Sequence, residues 1–501
     1  MTDSVQNRMA KGAIWMVLFK LVERSLGLIS TLILARLLAP ADFGVVAMAL
    51  SFVFMAELLT AFGFDVALIQ NQKASQAHYN SAWTGNALLG FAIMALMLIL
   101  AAPIADFYRK PEVFWVVIAL AFGPLISGFE NIGVVAFRKE LHFRREFIFQ
   151  LTRKLIAFAV VVPLAFTLRN YWALVAGTLV SKLAGTVSSY LMHPYRPRLS
   201  LAKLSELIGF SRWLLFNNVV GFFKERSSDF IIGRALGAGP LGIYNLSYEL
   251  ANLPSTELSA PINRALLPGF ARMTTVEEVT IAYATAVGVL ALLALPAAAG
   301  LFAVTPYLIP VVLGSKWLDA VPLMEVLAFN GAMLLFHSSI CTILIGRGFP
   351  SRITITNGLY VIILLALLII LIPRNGLPGA AYAAVLTSAL CTPVYLYQMK
   401  SCLGIGVGVF AAAIYRPLIS AALMAGIVRW SLPAFDPAMP LVLLTAWLFA
   451  GVGIGVVSYV LIAAALWLLG GRPAGAERVI LDKAESFLVY RIRRYFRTPL
   501  N

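Results

Sequence analysis

The sequence predicts an all-α, polytopic membrane protein with about fourteen transmembrane helices. Three observations carry this prediction. Of 501 residues, 60% are hydrophobic and only 12% charged, whereas soluble domains run at ~45–50% apolar and about 25% charged. The mean hydropathy is +0.87. The apolar residues fall into successive runs of about 20, the length that spans a hydrocarbon core of ~30 Å, and none shows the alternation of a strand.

Taken in order, the first six runs lie near 12–36, 42–69, 81–107, 113–137, 147–168 and 170–192. The next six lie near 206–236, 240–269, 280–313, 321–345, 352–373 and 377–400, and the last two near 408–430 and 440–469. Prolines punctuate the turns, as at Pro40, Pro111, Pro240, Pro350 and Pro378. The first run is read as an uncleaved helix, because no A-x-A-like site follows it and Lys20, Glu23 and Arg24 interrupt it.

Charge sets the orientation. With the N-terminus in the cytoplasm, 14 Lys and Arg of the helix-flanking segments fall inside and 6 outside, before the basic tail is counted. Basic loops stay on the cytoplasmic side, so both termini are expected there. The net charge of +16 is explained by those loops, and nucleic acid is not an expected partner. Three cysteines and four histidines show no CxxC, HExxH or other ligand spacing. No metal site and no catalytic residue are expected.

The chain repeats itself at a shift of 198: Trp15 meets Trp213, Ser30 meets Ser228, Arg36 meets Arg234 and Gly44 meets Gly242. ILARLLAPADFGVV (33–46) lies over IIGRALGAGPLGIY (231–244) without a gap. Six helices separate the copies, and an even number preserves topology. The expected organisation is a six-helix bundle over 1–200, a second over 201–402, two extra helices within 403–470 and a basic tail over 471–501. Repeated halves with a site at their interface are a common transporter plan.

The charges inside apolar runs are the candidate site. A charge at the bilayer centre costs roughly 2.5–3.5 kcal/mol, so Lys224, Glu225, Arg226, Asp229 and Arg234 must face water or protein. Asn217, Gly221, Lys224 and Ser228 form a polar stripe at helical spacing. In the first repeat, Lys20 and Arg24 share a helix face and Glu23 offsets them. Lys20, Arg24, Asn217, Lys224, Arg226 and Ser228 are the expected substrate-binding residues of a polar cleft whose positive excess suits a pyrophosphate. Glu23, Glu225 and Asp229 would balance charge or couple an ion. The competing reading of the same charges is inter-helix salt bridges, and both can hold together. Arg36 and Arg234 end their helices; they are read as C-terminal caps at the headgroup level, with substrate headgroup contact as the alternative.

Glu57, Asp65, Glu130, Glu249, Glu257 and Glu325 are isolated acids in apolar runs. Such acids relay protons or bind a coupling cation, but each is more often a pairing residue. No cofactor is expected, a coupling proton or sodium ion aside. Arg153, Lys154, Lys182 and Arg416 are read as snorkelling to the cytoplasmic surface. The glycine-rich GIGVGVF (404–410) and GVGIGVVS (451–458) lack the Lys-Ser/Thr of a P-loop and are read as close helix packing. The segment from Ala476 to Arg497 reads as an amphipathic helix for the anionic inner leaflet, with Ile480, Phe487, Leu488 and Ile492 on one side and Arg491, Arg493, Arg494 and Arg497 among its bases.

ILARLLAPADFGVVAMALSF near the N-terminus resembles the start of a polysaccharide flippase of the Wzx type. IIGRALGAGPLGIYNLSYELANLPSTELSAPINRALLPGFARM (231–273) is similar to the central region of the WzxC-like, colanic-acid-type branch, and so are AFRKELHFRREF (136–147) and VVLGSKWLDAVPLMEVLA (311–328). The resemblance covers about residues 10–400. It implies membership of the multidrug/oligosaccharidyl-lipid/polysaccharide exporter superfamily, with two six-helix bundles around a cationic central cavity. It also implies transfer of undecaprenyl-pyrophosphate-linked oligosaccharide to the periplasmic face of the bacterial inner membrane by alternating access. Membrane lipids, a polysaccharide polymerase and export machinery are the other implied partners. The charges of the candidate site are not part of the matching blocks and rest on the physical argument. The alternatives are a cation-coupled exporter of drugs or other amphiphiles, which should favour acids over bases in its cleft, and a membrane enzyme such as a polysaccharide polymerase. The enzyme should show a large periplasmic loop or a His/Asp constellation, and neither is visible.

Overall fold

The computed structural model describes residues 22–58, 63–208, 212–473 and 475–478. Of the described residues 87% are helical and none is in a strand. The helices are α1 (22–37), α2 (Pro40–Glu57), α3 (Phe64–Gln70), α4 (Gln76–Tyr108), α5 (Pro111–Gly128), α6 (Val135–Lys139), α7 (Phe143–Leu168) and α8 (Trp172–Met192). They continue as α9 (Leu204–Ile208), α10 (Arg212–Leu236), α11 (Ala238–Arg272), α12 (Val276–Val312), α13 (Ala320–Gly346), α14 (Pro350–Leu403), α15 (Val407–Ser431) and α16 (Leu441–Leu469). Ten of the described helices are long and apolar enough to cross a membrane. α10 and α11 are not among those ten, being too polar by composition.

Two elements depart from the sequence reading. The run 42–69 is interrupted: α2 ends at Glu57 and α3 restarts after Gly63, whose φ of +66° is left-handed and cannot continue a helix. The run 113–137 breaks at Asn131, which is fully buried. Its side-chain oxygen accepts from Gly133 N at 2.9 Å and its amide donates to Tyr195 O at 2.7 Å. The predicted division between 352–373 and 377–400 holds: within α14 the backbone at Gly376 is not helical, with φ 60° and ψ −139°, so the span is two helices meeting at a kink.

Contacts divide the chain into two compact units, Met1–Asn245 and Leu246–Asn501. In the first, α4 packs along α5 and α7 along α8, while α5 also meets α8 and α2. α10 lies against α2 and α4. Asp42, in the first turn of α2, ties two segments together. One carboxylate oxygen accepts from Ala39 N at 2.8 Å and the other from Tyr171 N at 3.0 Å. We expect Asp42→Ala to lower stability by about 1–2 kcal/mol, as lost helix caps do. An unchanged melting temperature in detergent would refute this role.

The connection 193–203 of the first unit is strapped to α4. The Tyr195 hydroxyl donates to Asn80, and Arg198 N, Ser200 N and Lys203 N each donate at 3.0 Å to Asn80, Thr84 and Ser81 side-chain oxygens. Burial pushes the Tyr195 pKa up to about 12, so its hydroxyl remains a donor at neutral pH. Below the strap, Leu204 and Leu207 pack on a core of Phe64, Leu68, Ala82, Ile132 and Val135.

In the second unit, α12 packs against α13, α15 and α16, and α13 against α14. Small polar groups link α13 to α14: Ser388 Oγ donates to Asn330 Oδ1 at 2.6 Å, and His337 Nε2 lies 2.9 Å from Thr392 Oγ1 with its ring stacked on Tyr395. Such bonds satisfy polar groups that lipid cannot. The chain after α16 folds back, so that Glu477 lies 3.2 Å from Arg416 of α15, both largely buried. Arg416 is therefore paired rather than snorkelling. The amphipathic tail lies outside the described residues from position 479 on.

Candidate functional site: a polar cavity in the first unit

α10 carries its polar residues at i, i+4 spacing, so Asn217, Gly221 and Glu225 share one strip of its surface and Asn218, Phe222 and Arg226 the next. Together with Phe54 and Leu58 of α2, these residues line a cavity of about 410 Å³. Gly221 has nothing within 4 Å of where a Cβ would stand, which keeps the cavity open. Arg226 lies over the Phe54 ring at 5.1 Å. Its Nη1 is 3.3 Å from Oδ2 of Asp229, which is only 3% exposed. Asp229 therefore fixes one edge of the guanidinium. The remaining N–H donors of a five-donor fork are what an anion in the cavity would use.

The structure thus brings Asn217, Glu225 and Arg226 onto one cavity, with Asp229 behind Arg226. Ser228 is buried and receives the Tyr244 hydroxyl at 3.5 Å. Neither Ser228 nor the half-buried Lys224 lines the cavity. They stand on the other flank of the predicted stripe, where the helix turns away. Arg24 is half-buried on α1, and Glu23 pairs with Lys154 of α7 at 3.6 Å. Lys20 lies outside the described residues. Arg36 is exposed, and Arg234 is exposed over the Phe107 ring at 5.8 Å.

A second cavity, of about 520 Å³, adjoins the first, and Asn218 lines both. Glu57 of α2 and Lys182 of α8 meet in it at 2.6 Å. Gly123 makes room for the lysine stem: a Cβ there would stand 3.0 Å from Lys182 Cδ. Lys182 is thus not a snorkelling residue but one half of a mostly buried ion pair. Asp65, also on this cavity, is held by Arg138 at 3.3 Å. In the second unit, Glu325 pairs with Arg429 at 3.0 Å. The sequence reading found each of these charges but not its partner. Their only signal was charge in an apolar run, and Glu57 and Lys182 stand 125 positions apart. Among the described residues, no group of three or more His, Cys, Asp or Glu is placed to hold a metal ion.

An all-helical multi-pass bundle with a polar cavity walled by charged helices is the build of an integral-membrane transporter. The chain belongs to the family described as polysaccharide biosynthesis protein, which matches residues 33–322. It is 25% identical to the lipopolysaccharide biosynthesis protein WzxC of Escherichia coli K12, over 69% of this chain and 71% of the relative. It is 27% identical to the succinoglycan biosynthesis transport protein ExoT of Rhizobium meliloti, over 89% and 90%. Among solved structures, the lipid II flippase MurJ in an inward closed conformation superposes with a TM-score of 0.74 at 12% identity, covering 91% of this chain and 99% of that one. An inward-facing multidrug resistance transporter of the MATE family gives 0.60 at 15% identity, covering 76% and 94%. These two likenesses establish the fold: a polytopic helical bundle of the kind the sequence predicts.

Proposed function

We propose that this chain is a flippase that moves undecaprenyl-pyrophosphate-linked oligosaccharide units across the bacterial inner membrane for polysaccharide biosynthesis. It is a transporter, not an enzyme. The observation that carries the reading is the pair of adjoining polar cavities beside Arg226 within an otherwise apolar helical bundle. Relatives named for polysaccharide biosynthesis and transport support it along most of the chain. The pyrophosphate is held by Arg226, with Lys224, Arg24 and Lys20 adding positive potential, while the lipid tail remains in the bilayer. A guanidinium is a natural phosphate partner because its planar fork matches the phosphate oxygens.

The functional division runs as two six-helix bundles, 1–200 and 201–402, rocking in alternating access, with 403–470 and the tail 471–501 outside the repeat. Both termini are placed in the cytoplasm, which the distribution of Lys and Arg supports. The delivered units pass to a polymerase and export machinery, and a proton or sodium ion supplies the drive. The drug-exporter reading shares the fold but not the polysaccharide relatives. A deletion strain should accumulate undecaprenyl-pyrophosphate-linked oligosaccharide on the cytoplasmic face and lose the polymer, read by mass spectrometry of extracted lipids. Unchanged lipid-linked pools with normal polymer would overturn the reading.

A further inference from the structure

The geometry points to a carbohydrate subsite at the Glu57–Lys182 pair, separate from the phosphate-binding cavity at Arg226 and built to read sugar hydroxyls. This rests on the flippase reading above. Six polar side chains from six helices converge there: Glu57 (α2), Asp65 (α3), Asn86 (α4), Ser127 (α5), Lys182 (α8) and Asn218 (α10). At about 520 Å³ the space falls within the ~300–1,000 Å³ typical of small-molecule sites, a size shared by a short oligosaccharide.

The engagement of the basic side chain separates the two cavities. Lys182 is neutralised by Glu57 at 2.6 Å and is only 16% exposed. Asp65 adds a second carboxylate, whose partner Arg138 does not line the space. The base lining this space, Lys182, is held closely by a carboxylate of the same wall, whereas Arg226 meets Asp229 by one edge and keeps further N–H donors for a phosphate. The two carboxylates and the paired ammonium suit hydroxyl groups, each of which both donates and accepts. Carboxylate, amide, hydroxyl and ammonium side chains together offer both roles within one pocket. Asn218 joins this pocket to the one bearing Arg226, so a headgroup laid across it places pyrophosphate on the arginine side and the first sugar on the Glu57 side. That order matches the covalent order of the ligand. Polar groups arranged for a hydroxyl discriminate strongly against a ligand lacking it, because they are then left unpaired.

The test measures binding of two probes to the purified full-length protein in nanodiscs: undecaprenyl pyrophosphate, and the same lipid carrying one hexose. Wild type should bind the hexosyl lipid about tenfold more tightly. The isosteric double variant E57Q/K182M should weaken the hexosyl probe about tenfold, against a change of under about twofold for the bare lipid. R226A should weaken both probes alike. Asn86→Ala, a single uncharged change in the same wall, should reduce the preference about threefold and serves if the double variant does not fold. The proposal is overturned if wild type shows no preference, or if E57Q/K182M weakens the bare lipid as much as the hexosyl one, which would make Lys182 a phosphate ligand. Folded wild type that binds neither probe overturns the flippase reading, and this subsite with it.

Discussion

Replacing Gly44 or Gly242 with valine is expected to unseat α2 from the start of α11 and leave little folded protein in the membrane. A Cβ on Gly44 would stand 1.7 Å from the backbone oxygen of Ala238, and one on Gly242 1.9 Å from that of Pro40. Neither obstacle is a side chain that can swing aside, so the two backbones must separate. Overpacking costs typically 1–3 kcal/mol and more where nothing can yield, so about 3 kcal/mol or more is expected here. The two contacts mirror each other: adding 198 turns position 40 into 238 and 44 into 242. Each glycine therefore meets the repeat equivalent of the residue that its own twin meets, a local two-fold arrangement. Gly358 is the control, since nothing lies within 4 Å of its would-be Cβ. Gly358→Ala should be neutral or stabilising by up to about 1 kcal/mol through helix propensity. Melting curves in detergent distinguish the outcomes, and a well-folded Gly242→Val protein would show that the crossing is not needed.

The double variant K224A/R226A should insert and fold yet abolish polymer export. Arg226 faces the cavity with 40% of its side chain exposed, so its truncation leaves no empty core behind, and the buried Asp229 that loses its partner can neutralise by taking up a proton. Removing one member of a hydrogen-bonded charge contact costs about 2–5 kcal/mol, equivalent to roughly thirtyfold or greater loss of affinity at the lower bound. Lys224 is half-buried beside the cavity and contributes through its charge. Export, measured as surface polysaccharide in a deletion strain carrying the variant, should fall to the level of the empty vector. Normal export from a stably inserted variant would remove Arg226 from the site and leave its contact with Asp229 as a structural bridge within α10.

Much of the site was legible because a charged residue in an apolar run has few places to go. Glu225, Arg226 and Asp229 stand out on that ground, and all three lie on or directly behind one cavity. Asn217 and Ser228 join them by helical spacing and Lys224 by both charge and spacing, yet of these three only Asn217 lines the cavity. Spacing defines a stripe but not which of its flanks meets the neighbouring helix. Lys182 and Arg416 were read as snorkelling because a long basic side chain near a helix end has that option. Each instead meets a carboxylate from a distant part of the chain, Glu57 and Glu477 respectively.

By itself the sequence determined that this is a helical membrane protein and that its N-terminal segment recurs 198 positions later. These properties follow from local composition, because lipid offers backbone groups no partner and forces each spanning run to satisfy its own. Only the tertiary structure decided where α2 and α5 stop, that Gly44 and Gly242 form one crossing, and which acid meets which base. Those outcomes depend on helices far apart in sequence coming into contact, and no local pattern of hydrophobicity or charge specifies which ones do.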